Sequence, residues 1–354
     1  MNIVIAILLL GILVAVHEFG HFIVAKISGM YVEKFSIGVG PKIASFQKGE
    51  TEYVFSVIPA GGFVSVRGVT GEDDEHANLE DPRLFQNRPI IHRILFTIAG
   101  PLMNFIFAIA LLMASYMALG IEVPNYHSPA IIDQVTKGEA ADKAGLKKGD
   151  QILTMDEKTI SEWNNVDDIM KEYDSGSIEI TFLRNHEVLN TTLSPSYNET
   201  LNRHAIGVQK RIEKNHKEVT LGEAWNQSVV ITARMSTLIL NAVGDLITRK
   251  TAVNDAEGGL SGPVGIVNAI DNSLEQGIWN VITLMSLFSI NFGLLNMLPI
   301  PALDGSRFLF LVIEGIRGLP VSTEKESLVN FVGFVALMLL MIYVTYNDIL
   351  RLVN

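Results

Sequence analysis

The sequence predicts a polytopic α-helical membrane protein: about four transmembrane helices, a membrane-associated β-rich loop and an inserted extracytoplasmic α+β domain. Three observations carry this expectation. Of 354 residues, 48% are of the AVILMFWYC set and 18% are charged, and the mean hydropathy is positive, a balance foreign to a soluble chain of this size. The apolar residues collect in four stretches, 3–27, 94–119, 281–303 and 329–346, each near the ~20 helical residues that cross a hydrocarbon core. Between the second and third, residues 120–280 hold 15 Lys+Arg against 23 Asp+Glu and so carry −8 of the −11 net charge. An acidic chain of this kind is not expected to take a nucleic-acid partner, which calls for a basic face.

Each element follows in order. The first stretch lacks a basic leader region and a small-residue cleavage site, and it runs on into His17, Glu18 and His21. It therefore reads as a retained helix over 1–27. The 28–93 segment is too long for a plain connection, and Glu52 to Arg67 is β-prone on both sides of Pro59 and Gly61-Gly62, which predicts a hairpin or bent sheet at the membrane. The acidic tract Glu72 to Glu75 reads as a solvated turn. After the second helix at 94–119, residues 122–195 form a globular insert. There Gly145 can stop a short helix, Gly149-Asp150 turns the chain, and Ser177 to Leu183 is strand-like. Residues 196–280 read as a connector with amphipathic segments, followed by helices at 281–303 and 329–346.

Lys26, Arg88 and Arg93 flank the 28–93 loop, and Arg307 and Arg317 follow the third span, whereas 120–136 and 251–280 contain no Lys or Arg. The excess of basic residues at cytoplasmic flanks then puts 28–93 and 304–328 in the cytoplasm. Both termini and the insert fall outside, with Arg351 as a single dissenting charge.

The absence of cysteine excludes disulfides, Cys-ligated zinc and thiol catalysis. A metal must then sit on His and carboxylate. His17-Glu18-Phe19-Gly20-His21 sets two imidazoles at i and i+4 on one helix face, with Glu18 alongside to handle the proton of a metal-bound water. The bare pattern also arises by chance on soluble helices, but ionisable side chains inside a span are costly and mark function. Two His leave zinc short of a third protein ligand. Asp304, beside Pro299, Pro301 and Gly305, is the candidate carboxylate on an interior turn; taken alone it also fits an interfacial carboxylate.

These motifs resemble the site-2 protease family of intramembrane zinc metalloproteases, in the bacterial branch that includes the regulator of sigma-E protease. The resemblance rests on HEFGH at 17–21, Gly100-Pro-Leu-Met-Asn104, a PDZ-like insert at 122–195, Ser261-Gly-Pro-Val-Gly265, and the stretch from Asn296 to Gly305. It implies Zn2+ on His17, His21 and Asp304, Glu18 as catalytic acid/base, and hydrolysis of peptide bonds within or near transmembrane segments. Anti-sigma factors and signal-peptide remnants are the implied kinds of substrate. It also implies that the 31–67 region forms a β-rich loop dipping toward the active site and that Asn296 and nearby backbone help hold substrate. A strand edge at Val64 and Val66 can hold an unwound segment by β-addition, against the alternative of a purely structural hairpin. The PDZ-like insert implies either a peptide ligand or a size filter. Two departures stand out: Ser306 occupies the place of a common second Gly, and one PDZ-like insert is visible rather than two, so a sigma-E substrate does not follow. Asn104 reads equally as a helix-helix hydrogen bond or a site residue. His76, His92, His127, His186, His204 and His216 show no ligand spacing and read as surface histidines. A membrane scaffold with a relict motif and a proton-carrying transporter are the rival classes. The intact Glu18 and Asp304 speak against the first, and the lack of paired broken helices against the second.

Overall fold

The structure, a computed structural model, describes residues 2–69, 80–125, 128–198, 203–211, 213–248 and 262–353. The acidic tract, His76, His127 and Ser261 lie outside them. The chain divides into two units, residues 1–119 with 219–354, and residues 120–218.

The first unit contains helices α1 (Asn2–Ile27), α2 (Ile90–Leu119), and, after the second unit, α5 to α9. Strands β1 (Val32–Lys48) and β2 (Thr51–Val66) lie between α1 and α2. Helix α5 is Leu221–Ile247, α6 is Pro263–Gln276, α7 is Ile278–Met297, α8 is Asp304–Arg317 and α9 is Thr323–Val353. Among the described residues, four helices are long and apolar enough to cross a membrane: Val4–Ile27, Ile90–Leu119, Ile278–Met297 and Glu324–Leu350. The third stops six residues short of the expected 303. Pro299 and Pro301 disfavour helical backbone at the residue before each and remove two donors, so Leu298 turns extended. The fourth runs past 329–346 at both ends because polar turns extend an apolar core as helix.

Within the expected connector, the amphipathic segments are the helices α5 and α6. Thr220 and Glu223 form a reciprocal cap at the start of α5: Thr220 N–H donates to Glu223 Oε2 (2.8 Å), and Glu223 N–H donates to Thr220 Oγ1 (3.3 Å). That is the T-x-x-E signature of a helix start. Helix α6 is held from outside itself, because the buried Asp348 carboxylate of α9 accepts the N–H groups of Gly262 (2.9 Å) and Gly265 (3.0 Å). A carboxylate there answers both the unpaired donors and the positive end of the helix.

The β-rich loop is larger than the 52–67 run suggests. Both strands bend, so two chain segments make four strands in the order 62–66, 32–39, 51–58 and 42–48; Phe35 lies opposite both Val64 and Tyr53. The bend in β1 falls at Gly38 and Gly40, both at positive φ, which favours glycine. Segment 62–66 is one free edge. Met30, Val32, Val66, Phe85, Phe96 and Leu311 pack together between the sheet and the helices. Across α2 and α8, Arg93 forms a two-pronged ion pair with Glu314 (2.6 and 2.9 Å).

The second unit has strands β3 (Ile121–Asn125), β4 (Ile131–Val135), β5 (Gln151–Met155), β6 (Lys158–Thr159), β7 (Ile178–Arg184), β8 (Glu187–Leu193), β9 (Ser196–Asn198), β10 (Arg203–Ala205), β11 (Val208–Arg211) and β12 (Glu213–Lys217), with helices α3 (Ala140–Lys143) and α4 (Trp163–Glu172). The main sheet runs β11-β4-β5-β7-β8, with β6 on β5. Its core gathers Ile132, Ile152, Met155, Ile180 and Trp163. The expected boundary at 195 is too early. Strand β11 pairs with β4, Ile206 is in the core, and β12 pairs with β3, so the folded insert reaches residue 217. Two expected surface histidines are also partly buried, His92 in α2 and His204 against Tyr173 and Tyr197. His186 and His216 are exposed.

Candidate metal centre

Helix α1 presents His17 and His21 one turn apart, and both are buried. Their Nε2 atoms lie 3.2 Å from each other. Asp304, the first residue of α8, brings Oδ2 to 3.0 Å from His17 Nε2 and 3.3 Å from His21 Nε2. Among the described residues this is a set of three groups whose ligand atoms converge enough to hold one ion.

Helix α2 makes room for the pair. A Cβ on Gly100 would stand 2.3 Å from His21 Nε2 and 2.7 Å from His17 Nε2, so no larger residue fits without moving an imidazole. Gly20, on the facing side of α1, is as constrained: its Cβ would meet the Ala99 carbonyl oxygen at 2.3 Å. One turn beyond Gly100, the Asn104 amide reaches His17, with Nδ2 3.0 Å from Nδ1. One turn before it, the Phe96 carbonyl lies 2.8 Å from His21 Nδ1. Pro101 withdraws a donor from this part of the helix ladder.

The donor set fits a cation. A carbonyl oxygen only accepts, so the neutral His21 ring carries its proton on Nδ1 and turns a bare Nε2 lone pair toward the Asp304 carboxylate. Two acceptors at 3.3 Å in a buried site repel each other unless a positive charge stands between them. Ligand atoms 2.0–2.2 Å from a tetrahedral Zn2+ are about 3.3–3.6 Å apart, so the observed 3.0, 3.2 and 3.3 Å bring the three atoms together and need to open by only a few tenths of an ångström to hold the ion.

Glu18 points to the sheet. Its Oε2 accepts the Val64 N–H at 3.1 Å, and Gly62 lies beside its Cγ. The two edge residues singled out in the sequence thus part company. Val64 turns its N–H to Glu18, whereas the Val66 side chain is buried and its carbonyl accepts the Val69 N–H (3.3 Å). Asn296 is buried on α7 with its Nδ2 donating to Phe292 O of its own helix (2.9 Å), and Phe292 sets its ring edge against His17.

The turn before Asp304 is held by a residue absent from the sequence reading. Ala302 sits at φ 71°, a costly backbone for a non-glycine residue, and its N–H donates to Asn330 Oδ1 of α9 at 3.1 Å. Ser306, where a glycine was expected, places its hydroxyl 2.8 Å from Leu303 O and 3.1 Å from Asn330 Oδ1. A lone amide inside the apolar 328–342 run was the available signal for Asn330.

Residues 5–340 match the profile of peptidase family M50. The chain is 31% identical over 428 residues to the zinc metalloprotease RasP of Oceanobacillus iheyensis, covering 98% of each. It is 31% identical over 427 residues to the regulator of sigma-W protease RasP of Bacillus subtilis, covering 99% of each. A solved PDZ domain of an SdrC-like protein from Listeria monocytogenes superposes on 25% of this chain and 93% of that one, at 14% identity and a TM-score of 0.22. A family match from one end of the chain almost to the other, with relatives aligned over nearly their whole length, means that the chain belongs to peptidase family M50 and is a multi-pass membrane zinc metalloprotease of the site-2 type.

Proposed function

We propose that His17, His21 and Asp304 hold the zinc and that Glu18 is the acid/base in hydrolysis of peptide bonds within or near transmembrane segments. The convergence of three ligand atoms at 3.0–3.3 Å on the face of a span is the observation that carries this reading. When bound, the zinc supplies an acidified water, its pKa lowered from 15.7 to about 7, and polarises the scissile carbonyl.

Glu18 takes the proton of that water and later returns it to the leaving amine. The Val64 N–H fixes one carboxylate oxygen and leaves the other for the proton. Edge segment 62–66 lies beside Glu18, so an unwound substrate paired along it has its backbone donors and acceptors satisfied, which lipid does not offer. Val64 takes part in that pairing through its carbonyl, its N–H being held by Glu18. Val66 takes part through packing alone, and Asn296 contacts substrate by releasing its amide from Phe292 O. Ile43, Phe46, Phe55, Val57 and Ile58 are exposed on the sheet, an apolar surface suited to membrane lipid.

The substrates are transmembrane proteins or signal-peptide remnants, and the cytoplasmic side bears the site, with both termini and the PDZ-like second unit outside, as the basic flanks of the spans suggest. In that unit, a cavity of about 320 Å³ opens between α4 and edge strand β11, lined by Trp163, Val166, Met170, Ile206, Val208 and Lys210. A groove beside a free strand edge favours binding of an extended peptide, which makes the unit a recruiter of substrate.

Zinc content and cleavage of a membrane-spanning peptide, measured for wild type and Glu18→Gln, test the assignment. The expected result is unchanged zinc with cleavage reduced at least about 10²-fold, as loss of a general acid/base costs. Zinc loss in that variant, or retained cleavage, overturns the role of Glu18.

A further inference from the structure

Asn104 is fully buried and is fixed at its backbone: its carbonyl accepts the Ser289 hydroxyl at 2.8 Å. Its Cβ lies against Gly293, where an added Cβ would come within 3.2 Å. The amide is left with rotation about its last bond. As placed, Nδ2 faces His17 Nδ1 at 3.0 Å, and Oδ1 is buried with no hydrogen-bond partner.

That orientation dictates where the His17 proton sits. An amide N–H donating to Nδ1 puts the ring proton on Nε2, from which it is donated to Asp304 Oδ2 at 3.0 Å. In this arrangement Nε2 has no lone pair for a metal. Exchanging the amide oxygen and nitrogen by a half-turn changes no shape. Oδ1 then accepts from Nδ1–H, and the Nε2 lone pair is freed toward the point where His21 Nε2 and Asp304 Oδ2 converge. His21 needs no such device, because the Phe96 carbonyl holds its proton on Nδ1 in either state.

We propose that Asn104 is a positioning residue that selects the tautomer of His17, its amide turning over as zinc enters. The inference rests on the assignment of His17 as a ligand through Nε2. A donor and an acceptor on one pivot are what both states require. Leucine offers neither, and an aspartate offers only the acceptor, so it holds the metal-binding tautomer permanently.

Zinc affinity of the full-length chain in detergent, by competition with a chelator, is measured for wild type, Asn104→Leu and Asn104→Asp, with 15N-histidine spectra recorded with and without zinc. The wild-type His17 proton is expected on Nε2 without zinc and on Nδ1 with it, while that of His21 stays on Nδ1. Asn104→Leu is expected to bind zinc about 10- to 100-fold more weakly, the range for loss of a partner that orients a metal-binding histidine. Asn104→Asp is expected to bind at least as tightly as wild type, with the proton on Nδ1 in both states. Equal affinity in wild type and the leucine variant, or a zinc-loaded His17 still protonated on Nε2, overturns the proposal. Should the leucine variant not fold, the wild-type and aspartate spectra decide it. A wild-type chain that binds no zinc overturns the ligand assignment together with this inference, whereas zinc binding with unchanged affinity in the variant overturns the inference alone.

Discussion

At the scale of single residues, the space around the two imidazoles is as specific as the imidazoles themselves. Gly100 has no side chain because two Nε2 atoms occupy its place, at 2.3 and 2.7 Å from where a Cβ would be. Gly100→Ala is expected to displace one histidine and lower zinc affinity at least tenfold, measured by chelator competition, while the folded helix content is unchanged, since alanine is the better helix former. Unaltered affinity would mean that α2 moves away at little cost. His17, His21 and Asp304 were legible in the sequence because their chemistry is local: an i, i+4 pair inside an apolar run, and a carboxylate beside prolines that end a span. Gly100 and Asn104 were legible as a motif but not as a role. Which face of α2 meets α1 depends on packing between helices about 80 residues apart in the chain, and spacing within one helix does not encode it.

At the scale of elements, the decisive feature is the bent sheet whose free edge lies on Glu18. The β-prone run from 52 to 67 announced two of its four strands. Residues 32–48 were marked as β-rich by the family resemblance and not by their own pattern, because Gly38, Gly40 and Pro41 interrupt the alternation, and those residues are what let one chain segment serve as two strands. Val64→Pro removes the N–H that Glu18 accepts at an edge position, where proline costs the sheet no internal ladder bond. Cleavage of a membrane peptide is expected to fall at least tenfold with zinc content unchanged, and full turnover would argue that the edge serves structure alone. The cap on α6 offers a stability counterpart. Asp348→Ala leaves the Gly262 and Gly265 donors unpaired in a buried setting and is expected to cost about 1–2 kcal/mol, read as a lower thermal midpoint in detergent with the zinc site intact. No sequence pattern links residues 262 and 348. Their pairing exists only once α9 packs against the start of α6.

At the scale of the whole molecule, the division of labour follows the charge. Residues 120–218 of the acidic segment between the second and third spans make up the second unit, whereas His17, Glu18 and His21 lie inside an apolar span of the first. The placement of that unit's end matters for testing it. Cutting out 127–195 would remove β5, β7 and β8 and leave β11 without its sheet, so a misfolded remnant would confuse the result. Removal of 120–218 takes the unit complete with its β3–β12 ribbon. The recruiter reading predicts that this deletion lowers cleavage of a full-length substrate with an exposed peptide end several-fold, and leaves a short membrane-spanning peptide cleaved as before. A size filter predicts the reverse, with bulky intact substrates gaining cleavage. A point change separates the two without deletion. Lys210 on β11 forms an ion pair with Asp167 of α4 across the groove, and its ammonium lies over the Trp163 ring. Lys210→Glu sets two acids against each other there, a repulsion that alters what the groove accepts without changing the outline of the unit. Recruitment predicts slower cleavage of the full-length substrate alone; a filter, which depends on bulk and not on the groove, predicts no change for either substrate.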